Sequence, residues 1–276
     1  MSDVLKLRDL VYEETGMFFP DEKQYYFESR FRKRVDALGL KSWLDYHKFL
    51  KTDKDRREEL NRLMSELTIN ETSFFRNLPQ FTALQNLVIP EILKEKKDKA
   101  VKMLKIWSAG CSSGEEVYTI AMLFDEMKNG PLAGYRLEVI GTDISPRVLE
   151  KAEKGIYSDY PVRNMPEYYK QKYFKKVPEG YKINDVLRPY VKFKHLNLNN
   201  DMEMVFMKGY DVIFCRNVLI YFDMDSKKRV LQHFFNDLII GGYLFIGFSE
   251  SLFGVDDRFK LVHYPGGMVY RKAVHI

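Results

Sequence analysis

Residues 106–116 read Ile-Trp-Ser-Ala-Gly-Cys-Ser-Ser-Gly-Glu-Glu, and they decide the fold. Upstream, Val101, Met103, Leu104 and Ile106 form a short apolar run that predicts a buried strand. Downstream, Val117, Ile120, Ala121, Leu123, Phe124 and Met127 recur at helical spacing. Between them, Ala109 to Gly114 is a turn of small residues. A strand, such a turn and a helix N-terminus together let the backbone approach a ligand closely. The spacing is that of G-x-G-x-x-G, but its three positions hold Ala109, Cys111 and Gly114, so only the last is in register. As a dinucleotide fingerprint the match is weak.

A second strand, Leu137 to Thr142, is predicted to end at Asp143, where folds of this kind place a carboxylate against ribose hydroxyls. Glu115 and Glu116 then open the first helix. A helix N-terminus favours anions, so these acids would compete with a pyrophosphate for that end. The pattern suits a ligand with hydroxyls and positive charge and no phosphate. S-adenosylmethionine, with a sulfonium, an ammonium and a ribose, has that chemistry. The competing reading of both glutamates is as ordinary first-turn acids.

The wider composition is that of a soluble globular chain: 276 residues, 45% apolar, 30% charged, net charge +5. No apolar run reaches the ~18 residues of a membrane span. The first ten residues carry charges throughout and predict no signal-peptide core. Cys111 and Cys215 are the two cysteines, both at predicted strand-to-loop junctions, which favours free thiols in a reducing compartment. The five histidines are scattered without zinc spacing, so no metal site is expected. A mild positive charge does not demand nucleic acid.

Residues 1–70 read as helices only. Apolar faces (Val4, Leu7, Leu10, Val11; Phe27, Phe31; Tyr46, Phe49; Leu60, Leu63, Met64, Leu67) predict a four-helix unit with Gly16 and Gly39 as stops and Ser42 as a cap. This stretch holds 14 Lys/Arg and 14 Asp/Glu, so the cluster Arg30, Lys33 and Arg34, on one helix face, is a local patch. It reads as a solvated face or as a docking surface for an acidic partner.

Residues 71–100 read as a linker and a connecting helix. Asn70 to Asn77 is polar, then aromatic, then basic, and fits neither period; loops like this often line clefts. A helix is expected from Pro79 to about Lys94, interrupted near Pro90.

From Val101 to the end, strands alternate with helices, which predicts a mostly parallel sheet covered on both faces. Residues 175–195 break the alternation. Tyr181 to Ile183 and Tyr190 to Phe193 are expected to form a small β-hairpin insertion. Asp211 to Cys215 predicts a strand closing on Arg216-Asn217, and Ser226 to Leu238 a helix. Gly241-Gly242 is expected to turn into a strand at Tyr243. Phe259 to Val262 and Met268 to Tyr270 predict a terminal antiparallel hairpin through Pro265-Gly266-Gly267. Such a hairpin is typical of S-adenosylmethionine methyltransferases and unlike the dehydrogenase strand order.

Five motifs in order then resemble one family. They are Ile-Asn-Glu-Thr-Ser-Phe-Phe-Arg (69–76), Trp-Ser-Ala-Gly-Cys-Ser-Ser-Gly-Glu-Glu (107–116), Gly-Thr-Asp-Ile-Ser (141–145), His-Leu-Asn-Leu (195–198) and Cys-Arg-Asn-Val-Leu-Ile-Tyr-Phe (215–222). They resemble the chemotaxis protein methyltransferases, the CheR family, over almost the whole chain. The resemblance implies an α/β fold: a Rossmann-like, S-adenosylmethionine-dependent methyltransferase domain with a mostly parallel sheet, an antiparallel terminal hairpin, a small β insertion and an N-terminal helical domain. It implies transfer of a methyl group from S-adenosylmethionine to glutamate side chains of chemoreceptors, leaving methyl esters and S-adenosylhomocysteine.

Position by position, the resemblance implies cofactor contacts at Asn70, Thr72, Arg76, Ala109, Glu115 or Glu116, Asp143, Asn197, Leu198, Arg216 and Asn217. It places Arg76 and Tyr221 beside the transferred methyl group, and makes Arg30, Lys33 and Arg34 a receptor-docking face. The implied partners are methyl-accepting receptors, with a cytoplasmic enzyme recruited to receptor arrays, without membrane insertion and without nucleic acid. Some family members tether to a receptor pentapeptide through a longer, glycine-rich loop in the β insertion. Here Lys175 to Gly180 is short, with Gly180 as its only glycine, so no dependence on that tether is expected. Competing readings are a methyltransferase of RNA or a small molecule, which Phe74-Phe75 would allow, a cofactor-binding scaffold without turnover, and a nicotinamide dehydrogenase.

Overall fold

The computed structural model describes residues 3–265 and 267–273. The chain opens with α1 (Asp3–Thr15), which buries Val4, Leu7, Leu10 and Val11 at helical spacing. A 3-10 turn leads into α2 (Gln24–Ala37). Next comes α3 (Trp43–Thr52), capped by Ser42, whose hydroxyl accepts the Asp45 N–H at 3.1 Å. After α4 (Arg56–Leu67), the four faces close around Leu7, Phe27, Phe31, Leu50 and Leu63.

The expected connecting helix is three pieces. These are α5 (Leu78–Ala83), a π-helical turn over Leu84–Val88, and α6 (Ile89–Glu95). Pro90 has no N–H to give to the carbonyl one turn back, and the wide turn lies immediately before it.

The α/β part follows as β1 (Met103–Ala109), α7 (Glu115–Met127), β2 (Arg136–Asp143), α8 (Pro146–Lys154), β3 (Ile156–Tyr157), α9 (Asp159–Val162) and α10 (Glu167–Tyr173). Then come β4 (Phe174–Val177), β5 (Gly180–Ile183), β6 (Val191–His195), α11 (Asp201–Met204), β7 (Tyr210–Cys215), α12 (Met224–Asp237), β8 (Leu238–Ile246), β9 (Phe259–Tyr264) and β10 (Gly267–Lys272). The main sheet runs β6-β2-β1-β7-β8-β10-β9, with the first five strands parallel and a terminal antiparallel hairpin. This is the expected α/β architecture. Gly266, within the expected hairpin turn, lies outside the described residues.

Two local expectations are corrected. Tyr181–Ile183 and Tyr190–Phe193 do not pair with each other. Instead β5 sits between β3 and β4 in a small antiparallel sheet, while β6 joins the main sheet beside β2. An edge strand is half-buried on alternate residues, so β6 carries the same pattern as a hairpin strand. Gly241-Gly242 does not turn into a strand either. The strand β8 begins at Leu238 and runs through both glycines, with its register against β7 shifting between Tyr210 and Val212. A Cβ on Gly242 would lie 3.1 Å from the Asp211 carbonyl, so glycine lets the bulged backbone pass.

The core lies on both faces of the sheet. Trp107 is fully buried, donates to Thr142 at 2.9 Å, and meets Phe234 of α12 edge-on. Because β2 and β7 flank β1 on opposite sides, the chain reverses direction across the sheet at β1, and a crevice opens beyond the C-terminal strand ends.

Candidate active site

That crevice is a cavity of about 340 Å³, in the range of a small-molecule site. Its floor is the turn after β1. The N–H groups of Gly110 and Cys111 both donate to the Thr142 carbonyl at 2.8 Å. Gly110 has φ +75° and a Cβ there would lie 2.4 Å from Val218, so only glycine closes the turn against the opposite wall.

Asp143, at the tip of β2, lines the cavity and is nearly buried. One carboxylate oxygen accepts the Ser112 N–H and the other the Ser145 N–H, both at 2.9 Å. Burial pushes its pKa up, while those amides hold the charged form. Each oxygen retains a further lone pair, so the group has the acceptor capacity for a pair of hydroxyls.

The two glutamates of α7 part company. Glu116 lines the cavity, accepting from Ser108 at 2.7 Å and from Arg216 at 2.9 Å. Glu115 is off the cavity wall and only 1% exposed, with both oxygens on the Ser113 hydroxyl at 2.9 Å. Burial pushes its pKa up to about 7. Successive helix residues point about 100° apart, so one glutamate faces the cavity and the other faces the core. Ala109 is likewise displaced from its expected role. It packs in the core beneath the turn, and Gly110 is the residue on the wall.

The segment 68–77 forms one side of the mouth. Asn70, Thr72 and Arg76 line the cavity. Arg76 is exposed and donates to the Glu71 carbonyl at 2.7 Å. Phe74 and Phe75 anchor the loop from below. Phe74 packs edge-on against Tyr157 and Phe174, with centroids 4.8 and 5.0 Å away. Both rings are buried, so the pair offers no platform for stacking nucleic-acid bases.

Asn197 and Leu198 after β6, and Arg216, Asn217 and Tyr221 after β7, also line the cavity. The Arg216 guanidinium is already committed, to Glu116 and to the Arg76 carbonyl at 2.6 Å, so it ties three walls together. Asn217 is left-handed at φ 59°. The Tyr221 hydroxyl donates to the Ile69 carbonyl at 3.2 Å, and burial pushes its pKa up, so it stays a donor at neutral pH.

One part of the wall has no motif to announce it. Thr15 and Met17, from the end of α1 and the loop beyond, line the cavity. They are held there by long-range backbone contacts. Met17 bridges to Phe222, Phe18 N–H donates to the Tyr221 carbonyl at 2.8 Å, and Asn197 donates to the Glu14 carbonyl at 2.6 Å.

The basic face of α2 is not uniform. Arg34 donates twice to Glu59, at 2.8 and 2.7 Å, and Glu59 is 3% exposed and also accepts from Tyr46. Arg34 is therefore committed to a buried acid of the helical unit, which sets it apart from its two neighbours on that face. Lys33 reaches Glu66 at 3.4 Å but is mostly exposed, and Arg30 lies 5.0 Å over the Tyr26 ring. Among the described residues, no cluster of three or more His, Cys, Asp or Glu could hold a metal, and no helix is long and apolar enough to cross a membrane.

The arrangement fits S-adenosylmethionine. It has a carboxylate with spare acceptor capacity at the β2 tip, the Glu116–Arg216 pair on the wall, and a glycine turn that admits close approach. Comparison with known proteins agrees. The family model described as "CheR methyltransferase, SAM binding domain" matches residues 70–268, and that described as "CheR methyltransferase, all-alpha domain" matches residues 2–68. The chain is 35% identical over 273 residues to chemotaxis protein methyltransferase 2 of Vibrio cholerae serotype O1, covering 98% of this chain and 93% of that protein. It is 34% identical to a chemotaxis protein methyltransferase of Borreliella burgdorferi, covering 91% of this chain and 89% of that one. The chain belongs to the CheR methyltransferase family, with S-adenosylmethionine as its cofactor.

Proposed function

We propose that this enzyme methylates glutamate side-chain carboxylates of bacterial chemoreceptors, as a protein-glutamate O-methyltransferase. The observation that carries the reading is Arg76. It stands exposed on the cavity lining, and among the described residues no carboxylate pairs with it. An anionic acceptor entering the mouth supplies that missing partner through charge-assisted hydrogen bonds. Relatives named as chemotaxis protein methyltransferases support the receptor as the source of the carboxylate.

When bound, S-adenosylmethionine supplies an electrophilic methyl group on a sulfonium. A glutamate, with an ordinary pKa of about 4.3, arrives ionised and needs no general base. Consistent with that, no histidine among the described residues lines the cavity. The protein's share is positioning and exclusion of water. Arg76 orients the carboxylate. Its exposure keeps that ion pair weak, which matters because the acceptor loses charge in the transition state. Tyr221, with Met17, Ile69 and Ile220, gives the cavity lining largely apolar surface. Asp143, Glu116, Asn70 and Asn197 are the candidate holders of the cofactor.

Docking is assigned to Arg30 and Lys33 of α2, without a pentapeptide tether. In support, only Pro178 and Glu179 separate the paired ends of β4 and β5, leaving no long loop in the small sheet. The test uses S-adenosylmethionine labelled in its methyl group, with the enzyme and receptor-containing membranes from the same source. Label in receptor that alkali releases as volatile methanol is the expected result. Cofactor binding with no alkali-labile label in receptor overturns the proposal.

A further inference from the structure

The loop after β7 forms one wall of the cofactor cavity, and Asn217 takes it through a left-handed turn at φ 59°. Among residues with a Cβ, asparagine enters that region most readily, and its neighbours here fix it there. What holds it comes from the next loop along the sheet. One carboxylate oxygen of Glu250 accepts the Asn217 N–H at 2.9 Å and the Gly247 N–H at 2.6 Å. The Glu250 N–H donates back to the Gly247 carbonyl at 3.0 Å, closing a turn at the end of β8. A Cβ on Gly247 would lie 2.5 Å from that same carboxylate oxygen, so glycine there leaves the room that the contact needs. Buried Gln80 of α5 fixes the strand end beneath, donating to the Ile246 carbonyl at 2.7 Å.

We infer that Glu250 is a positioning residue that clamps the loop after β7 into the shape of the cofactor wall. It acts through Asn217 and is not among the residues lining the cavity. The clamp reaches further through Val218, which sits against the Gly110 turn. What the clamp requires is one acceptor oxygen at the right reach. The negative charge itself is not required, and this separates the inference from an electrostatic role.

The inference rests on the cofactor site and not on the receptor reading, so its test needs no receptor. Binding of S-adenosylhomocysteine is measured by calorimetry for the native enzyme, Glu250→Gln and Glu250→Asp, with amide exchange followed over residues 216–222. Gln keeps the acceptor oxygen at the same reach and loses the charge. Asp keeps the charge and draws the oxygen back by one methylene. We expect Glu250→Gln to bind within threefold of native, and Glu250→Asp to bind at least tenfold more weakly with exchange at 216–222 at least tenfold faster. Native-like binding by both variants overturns the clamp. So does loss in both, and so does loss in Glu250→Gln alone, which would assign the role to charge. If receptor methylation fails while this pattern holds, the clamp stands and the receptor reading falls.

Discussion

Asp143 accepts two backbone amides, and those bonds shape the turns that line the cavity. Asp143→Ala therefore removes an acceptor for ribose hydroxyls, worth roughly 1.5–3 kcal/mol, or about 10- to 150-fold in affinity. It also strands two buried N–H groups at about 1–3 kcal/mol each. The expected outcome is a folded protein of lower Tm that binds S-adenosylhomocysteine at least tenfold more weakly; unchanged affinity by calorimetry would refute the ribose assignment. Glu115 gives a pH prediction. Its carboxyl is held at about 7 against an ordinary 4.5, so the folded state binds the extra proton between those values. Stability from this site is then greatest below pH 4.5 and falls as pH rises through 7, by up to about 3 kcal/mol. Glu115→Gln should gain stability relative to native on going from pH 5 to pH 8 in urea unfolding; an equal difference at both pH values contradicts it. Asp143 was legible from its place at a strand tip. The choice between Glu115 and Glu116 was not, because it depends on helix phase relative to a cavity that only the assembled sheet creates.

At the scale of elements, α2 shows how one basic stripe divides. The sequence places Arg30, Lys33 and Arg34 on one face, yet α4 supplies a buried acid to Arg34 alone. Arg34→Ala leaves Glu59 buried without its cation, and breaking such a pair costs roughly 3–5 kcal/mol. A correspondingly lower urea midpoint is expected, with Lys33→Ala near native. The Arg30→Ala, Lys33→Ala double variant should keep cofactor affinity and lose at least tenfold in receptor methylation. A normal rate in the double variant would make the stripe a solvated face. The main alternation of strands and helices was readable because buried parallel strands and amphipathic helices carry distinct periods. The assignment of β6 was not, since an edge strand and a hairpin strand share one pattern, and the partner is chosen by β2, far away in sequence.

Across the whole molecule, the helical unit and the sheet domain build one cavity between them. Met17 and Thr15 come from the first, Asp143, Asn197 and Tyr221 from the second, and backbone bonds join them. No sequence motif marks Met17, because its role is set by a contact spanning two hundred residues. A ligand held by both units should stabilise both: at about 100 times its Kd, S-adenosylhomocysteine contributes about 2.7 kcal/mol. One cooperative transition moving to higher temperature is expected in calorimetry. A helical unit that melts apart at an unshifted temperature would contradict a shared site. Site mapping decides whether an ionised glutamate of a receptor is the methyl acceptor. A purified receptor cytoplasmic fragment is methylated with labelled S-adenosylmethionine, digested, and its modified side chains are assigned by mass spectrometry. Label confined to glutamate carboxylates and lost in alkali is the expected result. Label on any other side chain, or none despite bound cofactor, would contradict it.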